Sequence, residues 1–181
     1  TETLGLAVAA EIPMTVVNVM RGGPSTGIPT KSEQSDLNIA LYGLHGDAPH
    51  LVLAPTCVGD CLRTTQWAVQ LAETLQAPAI VLSDQFLGQA QAVTDRPQPL
   101  PEDGGRKLAE APLPGYRRYA LDPDNISAMA LPGVAYGQHT ADGLEHSEFG
   151  RPSTIADDHA RQLDKRARKL EDFDYGPLWA E

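Results

Sequence analysis

Apolar residues gather in three short, dense runs: Met14-Thr-Val-Val-Asn-Val-Met20, Leu51-Val-Leu-Ala-Pro55 and Ala79-Ile-Val-Leu-Ser83. Each has the length of a strand, is apolar on both sides of the pleat and is bounded by turn residues. That is the pattern of parallel strands covered on both faces. Between the second and third runs, Leu62, Ala68, Leu71, Ala72 and Leu75 repeat with helical period, so a helix is predicted over 60–76. Gly59-Asp60 supplies its start and Pro78 follows its end. Strand, helix and strand in this order make a βαβ unit. Further helices are predicted over 1–11, ended by Ile12-Pro13, and over 33–42, closing at Gly43. The fold class is therefore α/β, a parallel sheet with flanking helices.

Beyond Gln85 the periodicity fades. Residues 94–152 carry Pro97, Pro99, Pro101, Pro112, Pro114, Pro123, Pro132 and Pro152 with glycines between, an extended segment longer than ordinary loops. It is expected to wrap a neighbour or another domain, or to be partly disordered. A polar helix follows over 153–173, with Ser153 as its cap. Arg161, Lys165, Arg166, Arg168 and Lys169 are interleaved there with Asp157, Asp158, Asp164, Glu171 and Asp172, which predicts a solvated helix laced with ion pairs. The expected organisation is thus 1–93, an α/β domain; 94–152, an extended segment; and 153–181, a polar helix and tail. A chain that starts at Thr1 and opens on a helix without a preceding strand is expected to lack an upstream piece.

Composition narrows the partners. Fourteen Lys and Arg against 24 Asp and Glu give a net charge of −10, which argues against nucleic acid and anionic membranes, since phosphate contacts need clustered cations. No apolar run nears the ~20 residues of a membrane span, and no signal peptide is evident. Cys57 and Cys61 are too few for a disulfide framework, so a cytoplasmic location is expected.

The densest chemical signal is Arg21-Gly-Gly-Pro-Ser-Thr-Gly-Ile-Pro-Thr30, leaving the carboxyl end of the first strand, where open α/β sheets bind ligands. Glycines allow a close backbone approach, Ser25 and Thr26 add hydroxyls, and Arg21 adds a fork matched to a carboxylate or phosphate. The loop lacks the Lys-Ser/Thr ending of a P-loop and the spacing of a dinucleotide fingerprint. It reads either as an anion site or as a turn that merely reverses the chain.

This loop, followed by Glu33-Gln-Ser-Asp-Leu37, resembles the α subunit of 2-oxoacid:ferredoxin oxidoreductases, the 2-oxoglutarate type in particular. The likeness continues through Gly43-Leu-His-Gly-Asp-Ala-Pro49, Leu53-Ala-Pro-Thr56, Asp60-Cys61, Leu82-Ser-Asp84, Gly143-Leu-Glu-His-Ser-Glu-Phe-Gly150 and Lys165-Arg-Ala-Arg-Lys-Leu170. The resemblance implies the later part of a thiamine-diphosphate-binding domain of the pyrimidine type, with Arg21 on the substrate carboxylate and Ser25 and Thr26 beside it. It implies oxidative decarboxylation of a 2-oxoacid, with the acyl group passing to coenzyme A and electrons passing through iron–sulfur clusters to ferredoxin. Thiamine diphosphate, Mg2+ and a 4Fe–4S cluster would be held mainly by the β subunit or by other segments of the α subunit. The family's Tyr-Pro-Ile-Thr-type motif, its cofactor-activating glutamate and its C-terminal domain do not occur in this chain, which is expected to be inactive alone. The other reading keeps the fold without the chemistry, as a small-carboxylate-binding or assembly module.

The remaining conspicuous residues read more plainly. Cys57 and Cys61 are expected to be small buried hydrophobes, and His45 and His50 structural or exposed. Glu145, His146 and Glu148 form a polar cluster with no third ligand at metal spacing. Asp84 is expected to cap the turn after its strand. Glu33, Gln34 and Asp36 suit either the start of a helix or a contact at the site. Tyr175 and Trp179 are candidates for docking on a partner.

Overall fold

The computed structural model describes residues 1–96, 98, 100–101, 104–111 and 114–178, so Trp179 lies outside the described residues. The chain forms two compact units, Thr1–Gly105 and Arg106–Glu181. The first holds α1 (Glu2–Ala9), β1 (Met14–Met20), α2 (Leu37–Tyr42), β2 (Leu51–Leu53), α3 (Val58–Leu75), β3 (Pro78–Asp84) and α4 (Gln85–Gln89). The second holds α5 (Ala156–Glu171) and a 3-10 turn, Gly176–Leu178.

The three strands are parallel in the order β1-β3-β2, with Val16 opposite Ile80 and Leu51 opposite Ala79. The central strand β3 is covered on both faces, as its continuous apolar run predicts. On one face Ala79 and Val81 meet Ala68 and Ala72 of α3, with Leu51 and Leu53 alongside. Alanines at this contact let the helix lie close to the sheet. On the other face Ile80 and Leu82 meet Met20 and Ala40, with Leu4 and Val52 against them. The edge strand β1 departs from the expected double cover: Val17 and Val19 remain 50% and 46% exposed.

Helix boundaries shifted where side chains found tertiary partners. The helix predicted over 33–42 begins only at Leu37: Glu33 and Gln34 reach other segments, whereas Asp36 is its N-cap residue, the Asp36 carbonyl accepting the Ala40 N–H at 2.9 Å while its side chain accepts from Asn18. The one predicted over 60–76 starts earlier, at Val58; Asp60 turns back to accept the Thr56 N–H at 2.9 Å and so satisfies an amide just outside the helix. His50 bridges the Ala40 and Ala48 carbonyls at 2.6 and 2.7 Å, fixing the approach to β2 in a structural role, while His45 is exposed.

The second unit overturns the solvated reading of its helix. Gln162, Lys165, Arg166 and Lys169 of α5 share one face at the spacing i, i+3, i+4, i+7, and that face is buried. Gln162 donates to the Tyr119 carbonyl at 3.0 Å and Lys165 to Ser127 Oγ at 2.8 Å. Arg166 grips Glu145 at 2.8 and 3.3 Å. His146 is buried beside the Tyr119 ring, centroids 3.7 Å apart. Only the opposite face carries the expected solvent-side pairs, Arg161–Asp157 and Arg168–Asp164. Glu148 pairs with Arg117, so both carboxylates of the Glu145–Glu148 cluster serve internal ion pairs. Tyr175, half-buried, donates to the Leu170 carbonyl at 2.7 Å.

Glu145 makes this network pH-sensitive. Burial raises its carboxyl pKa, but hydrogen bonds from Arg166 and His159 outweigh that and hold it below the ordinary value of 4.5. A carboxyl whose pKa is lowered by folding binds its proton more readily in the unfolded chain. The stability it adds is therefore complete above about pH 4.5 and lost as pH falls through the folded value. The thermal midpoint is expected to drop as pH goes from about 5 to about 3, and Glu145→Gln is expected to flatten part of that drop. Lowered carboxyls at Asp84 and Asp124 would leave a residual slope of the same sign.

Candidate functional site

Parallel pairing puts the carboxyl ends of β1, β2 and β3 on one sheet edge, and the loop that follows β1 begins there with Arg21. Its backbone closes on itself: Ile28 N–H donates to the Gly22 carbonyl at 2.8 Å, Gly22 N–H to Lys31 at 3.1 Å and Lys31 N–H to Ile28 at 3.1 Å. Ser25 and Gly27 turn the chain through positive φ, 55° and 51°. At Gly27 a Cβ would stand 1.8 Å from the Gly22 carbonyl oxygen, so the closure requires glycine. Gly27→Ala is expected to open the loop at a cost of about 1–3 kcal/mol. The check is amide hydrogen exchange, in which Ile28 and Lys31 should lose protection while β3 keeps it.

The segment 32–36 straps this loop to the sheet edge. Ser32 Oγ accepts the Phe86 N–H at 2.7 Å, and Gln34 donates to Asp84 Oδ2 at 3.1 Å. Glu33 Oε2 accepts the Gly23 N–H at 3.0 Å, and Asp36 Oδ2 accepts from Asn18 Nδ2 at 2.9 Å. Asp84 caps α4 through Leu87 N–H at 2.8 Å, as expected of a strand-end acid. That amide, followed by Gln34, lowers its carboxyl pKa.

Loop and strap enclose an open cavity of about 550 Å³, lined by Asn18, Val19, Arg21, Gly23, Pro24, Ser25, Glu33, Ser35 and Asp36. Arg21 is exposed and makes no hydrogen bond or ion pair among the described residues. Its guanidinium is the one cation of the lining, opposite two carboxylates that each already hold an amide donor. Ser25 shares the cavity; Thr26 is exposed on the same loop but does not line it. The Glu33, Ser35 and Asp36 wall depends on tertiary closure, yet Asn18 offered a signal, being the one amide in an otherwise apolar and β-branched strand.

With one cation and two acids, the lining offers an incoming carboxylate a single guanidinium fork to pair with. Among the described residues no three His, Cys, Asp or Glu side chains gather as metal ligands. Cys57 and Cys61 are not the buried hydrophobes expected: Cys57 is exposed and Cys61 half-exposed, because they sit in the loop and first turn that open α3. The Cys61 thiol donates to the Cys57 carbonyl at 3.4 Å, and burial, then neighbouring Asp60, raises its pKa.

Residues 1–165 match the family described as pyruvate flavodoxin/ferredoxin oxidoreductase, thiamine diphosphate-binding. The chain is 36% identical over 173 residues to a 2-oxoglutarate synthase subunit KorA of Archaeoglobus fulgidus, covering 95% of this chain and 44% of that protein. It is 38% identical over 149 residues to the 2-oxoglutarate oxidoreductase subunit KorA of Mycobacterium tuberculosis, covering 80% of this chain and 22% of that one. A solved 2-oxoglutarate:ferredoxin oxidoreductase from Magnetococcus marinus, with 2-oxoglutarate, coenzyme A and succinyl-CoA bound, matches with a TM-score of 0.84 at 44% identity. That match spans 95% of this chain and 31% of the solved chain. The chain thus spans less than half the length of these relatives. With its parallel sheet, its glycine-closed arginine loop and this similarity along nearly all of its length, the chain belongs to the thiamine-diphosphate-binding family of pyruvate flavodoxin/ferredoxin oxidoreductases.

Proposed function

We propose that this chain is a segment of the α subunit of a 2-oxoacid:ferredoxin oxidoreductase, with 2-oxoglutarate as the substrate, and that Arg21 receives the carboxylate next to the keto group. The observation that carries the reading is the guanidinium without a partner among the described residues, in a cavity at the carboxyl edge of a parallel sheet. Ser25 lines the same cavity and offers a hydroxyl to the bound acid; Thr26 takes the outer rim of the loop.

The chemistry divides between chain and cofactor. Thiamine diphosphate, when bound, supplies the electron sink on which a 2-oxoacid loses carbon dioxide. Arg21 holds and orients the carboxylate that departs. In this reading the acyl group would pass to coenzyme A and two electrons to ferredoxin, an iron–sulfur cluster elsewhere in the complex supplying the electron transfer. The diphosphate, its Mg2+ and the cluster would fall to the β subunit and to further α-subunit segments. A cytoplasmic location accords with two free thiols, and no described helix is long and apolar enough to cross a membrane.

The test uses the whole multi-subunit complex, supplied with coenzyme A, an electron acceptor and a panel of 2-oxoacids. The expected result is coenzyme-A-dependent acceptor reduction, fastest with 2-oxoglutarate. A complex that binds the acids without reducing the acceptor would instead support a carboxylate-binding module.

A further inference from the structure

We infer that Glu33 is a positioning residue for Arg21: its carboxylate fixes the loop that aims the guanidinium into the cavity, by accepting the Gly23 N–H. The inference rests on the proposed role of Arg21 and adds a residue through which that role is controlled.

Three observations converge on Glu33. Its Oε2 lies 3.0 Å from the Gly23 nitrogen, two residues beyond Arg21, and 3.7 Å from where a Cβ on Gly22 would stand. It therefore braces the stretch of backbone that carries the guanidinium. Its neighbours in sequence are themselves anchored, Ser32 to the Phe86 amide and Gln34 to Asp84, so the brace is tied to the sheet edge at both sides. Finally, Glu33 lines the cavity with Arg21 but forms no ion pair with it, which leaves the guanidinium available to an incoming anion. A carboxylate accepting an amide is a strong, directional contact, and this one ties the Gly23 backbone directly to the strap. Small displacements of an orienting group are costly to binding and to rate.

An acceptor oxygen at this distance is what the role requires, and it can be kept while the charge is removed. Glutamine retains such an oxygen, alanine removes it, and aspartate withdraws it by one methylene. Removing the charge also removes a repulsion toward a bound carboxylate, so the two contributions of Glu33 have opposite signs for substrate affinity.

The experiment measures steady-state kinetics of the intact complex carrying Glu33→Ala, Glu33→Asp, Glu33→Gln, Arg21→Ala and the Arg21→Ala/Glu33→Ala pair. The expected result is a rise in KM for the 2-oxoacid of roughly tenfold in Glu33→Ala and in Glu33→Asp. The KM for coenzyme A and the thermal midpoint should stay near parental values. Glu33→Gln should recover most of the lost affinity, and the double variant should be no worse than Arg21→Ala alone. Equal losses in all three Glu33 variants, or additive losses in the double variant, would overturn the inference. An unchanged KM in Arg21→Ala overturns the carboxylate-binding reading itself. A raised KM in Arg21→Ala with parental KM in both Glu33→Ala and the charge-retaining Glu33→Asp overturns the role of Glu33 alone. Should Glu33→Ala not assemble, Glu33→Asp against Glu33→Gln gives the same decision, since only the former withdraws the acceptor.

Discussion

Arg166→Met is expected to remove about 3–5 kcal/mol of stability, the usual loss when one partner of a buried ion pair is deleted. The Arg166 side chain is 5% exposed and Glu145 18%, and the two are joined by hydrogen bonds of 2.8 and 3.3 Å. Methionine fills much of the volume but leaves the carboxylate in a poorly solvated place, with His159 and the His146 amide as its remaining donors among the described residues. Thermal unfolding of the protein reads the loss. Two controls separate charge from packing. Arg161→Ala, on the exposed face of α5, removes an ion pair 2.9 Å long between side chains 59% and 65% exposed and should cost no more than about 0.5 kcal/mol. Glu145→Leu combined with Arg166→Met should return most of the lost stability, because an apolar pair has no stranded charge. A single variant as stable as the parent would mean that water reaches Glu145 freely.

That buried polar face marks where the sequence stopped being informative. Helical spacing located α5, but the rule linking burial to apolarity pointed its charged residues outward. Their partners are remote: Tyr119 lies 43 residues before Gln162, and Ser127 lies 38 before Lys165, separations that no local periodicity encodes. The strands were legible for the opposite reason. Met14–Met20 and the run around Ile80 are apolar and bounded by turns, and β3 is buried on both faces, so local pattern and tertiary environment agree. At the site, Arg21 and the glycines were visible because a cation beside a glycine-rich turn at a strand end is a local signal. Glu33 and Asp36 were ambiguous, since acids before a helix suit its dipole equally well. The contact to Gly23 takes Glu33 out of the helix, while Asp36 serves both, as the N-cap residue of α2 and as the acceptor for Asn18. The exposed cysteines were misread because Cys57 belongs to a loop on the open sheet edge, which residue type alone does not reveal.

In the intact complex, Arg21→Ala is expected to raise the KM for the 2-oxoacid on the order of 30-fold, with a smaller change in kcat. The cavity explains the size of the effect. Arg21 is the sole cation of its lining, in a chain of net charge −10, and Glu33 and Asp36 remain on the wall when it is gone. The substrate carboxylate would then meet two like charges and no fork to bind it. The asymmetry between KM and kcat would follow from the proposed reaction: the held carboxylate would leave as neutral carbon dioxide, so a contact to its charge would favour the bound acid at least as much as the transition state. Arg21→Lys should fall between parent and alanine, because an ammonium supplies the charge without the planar pair of donors. Raising ionic strength should increase the parental KM and change that of Arg21→Ala less, since salt screens an attraction that the variant no longer has. A parental KM in Arg21→Ala at every salt concentration would place the substrate carboxylate elsewhere in the assembly.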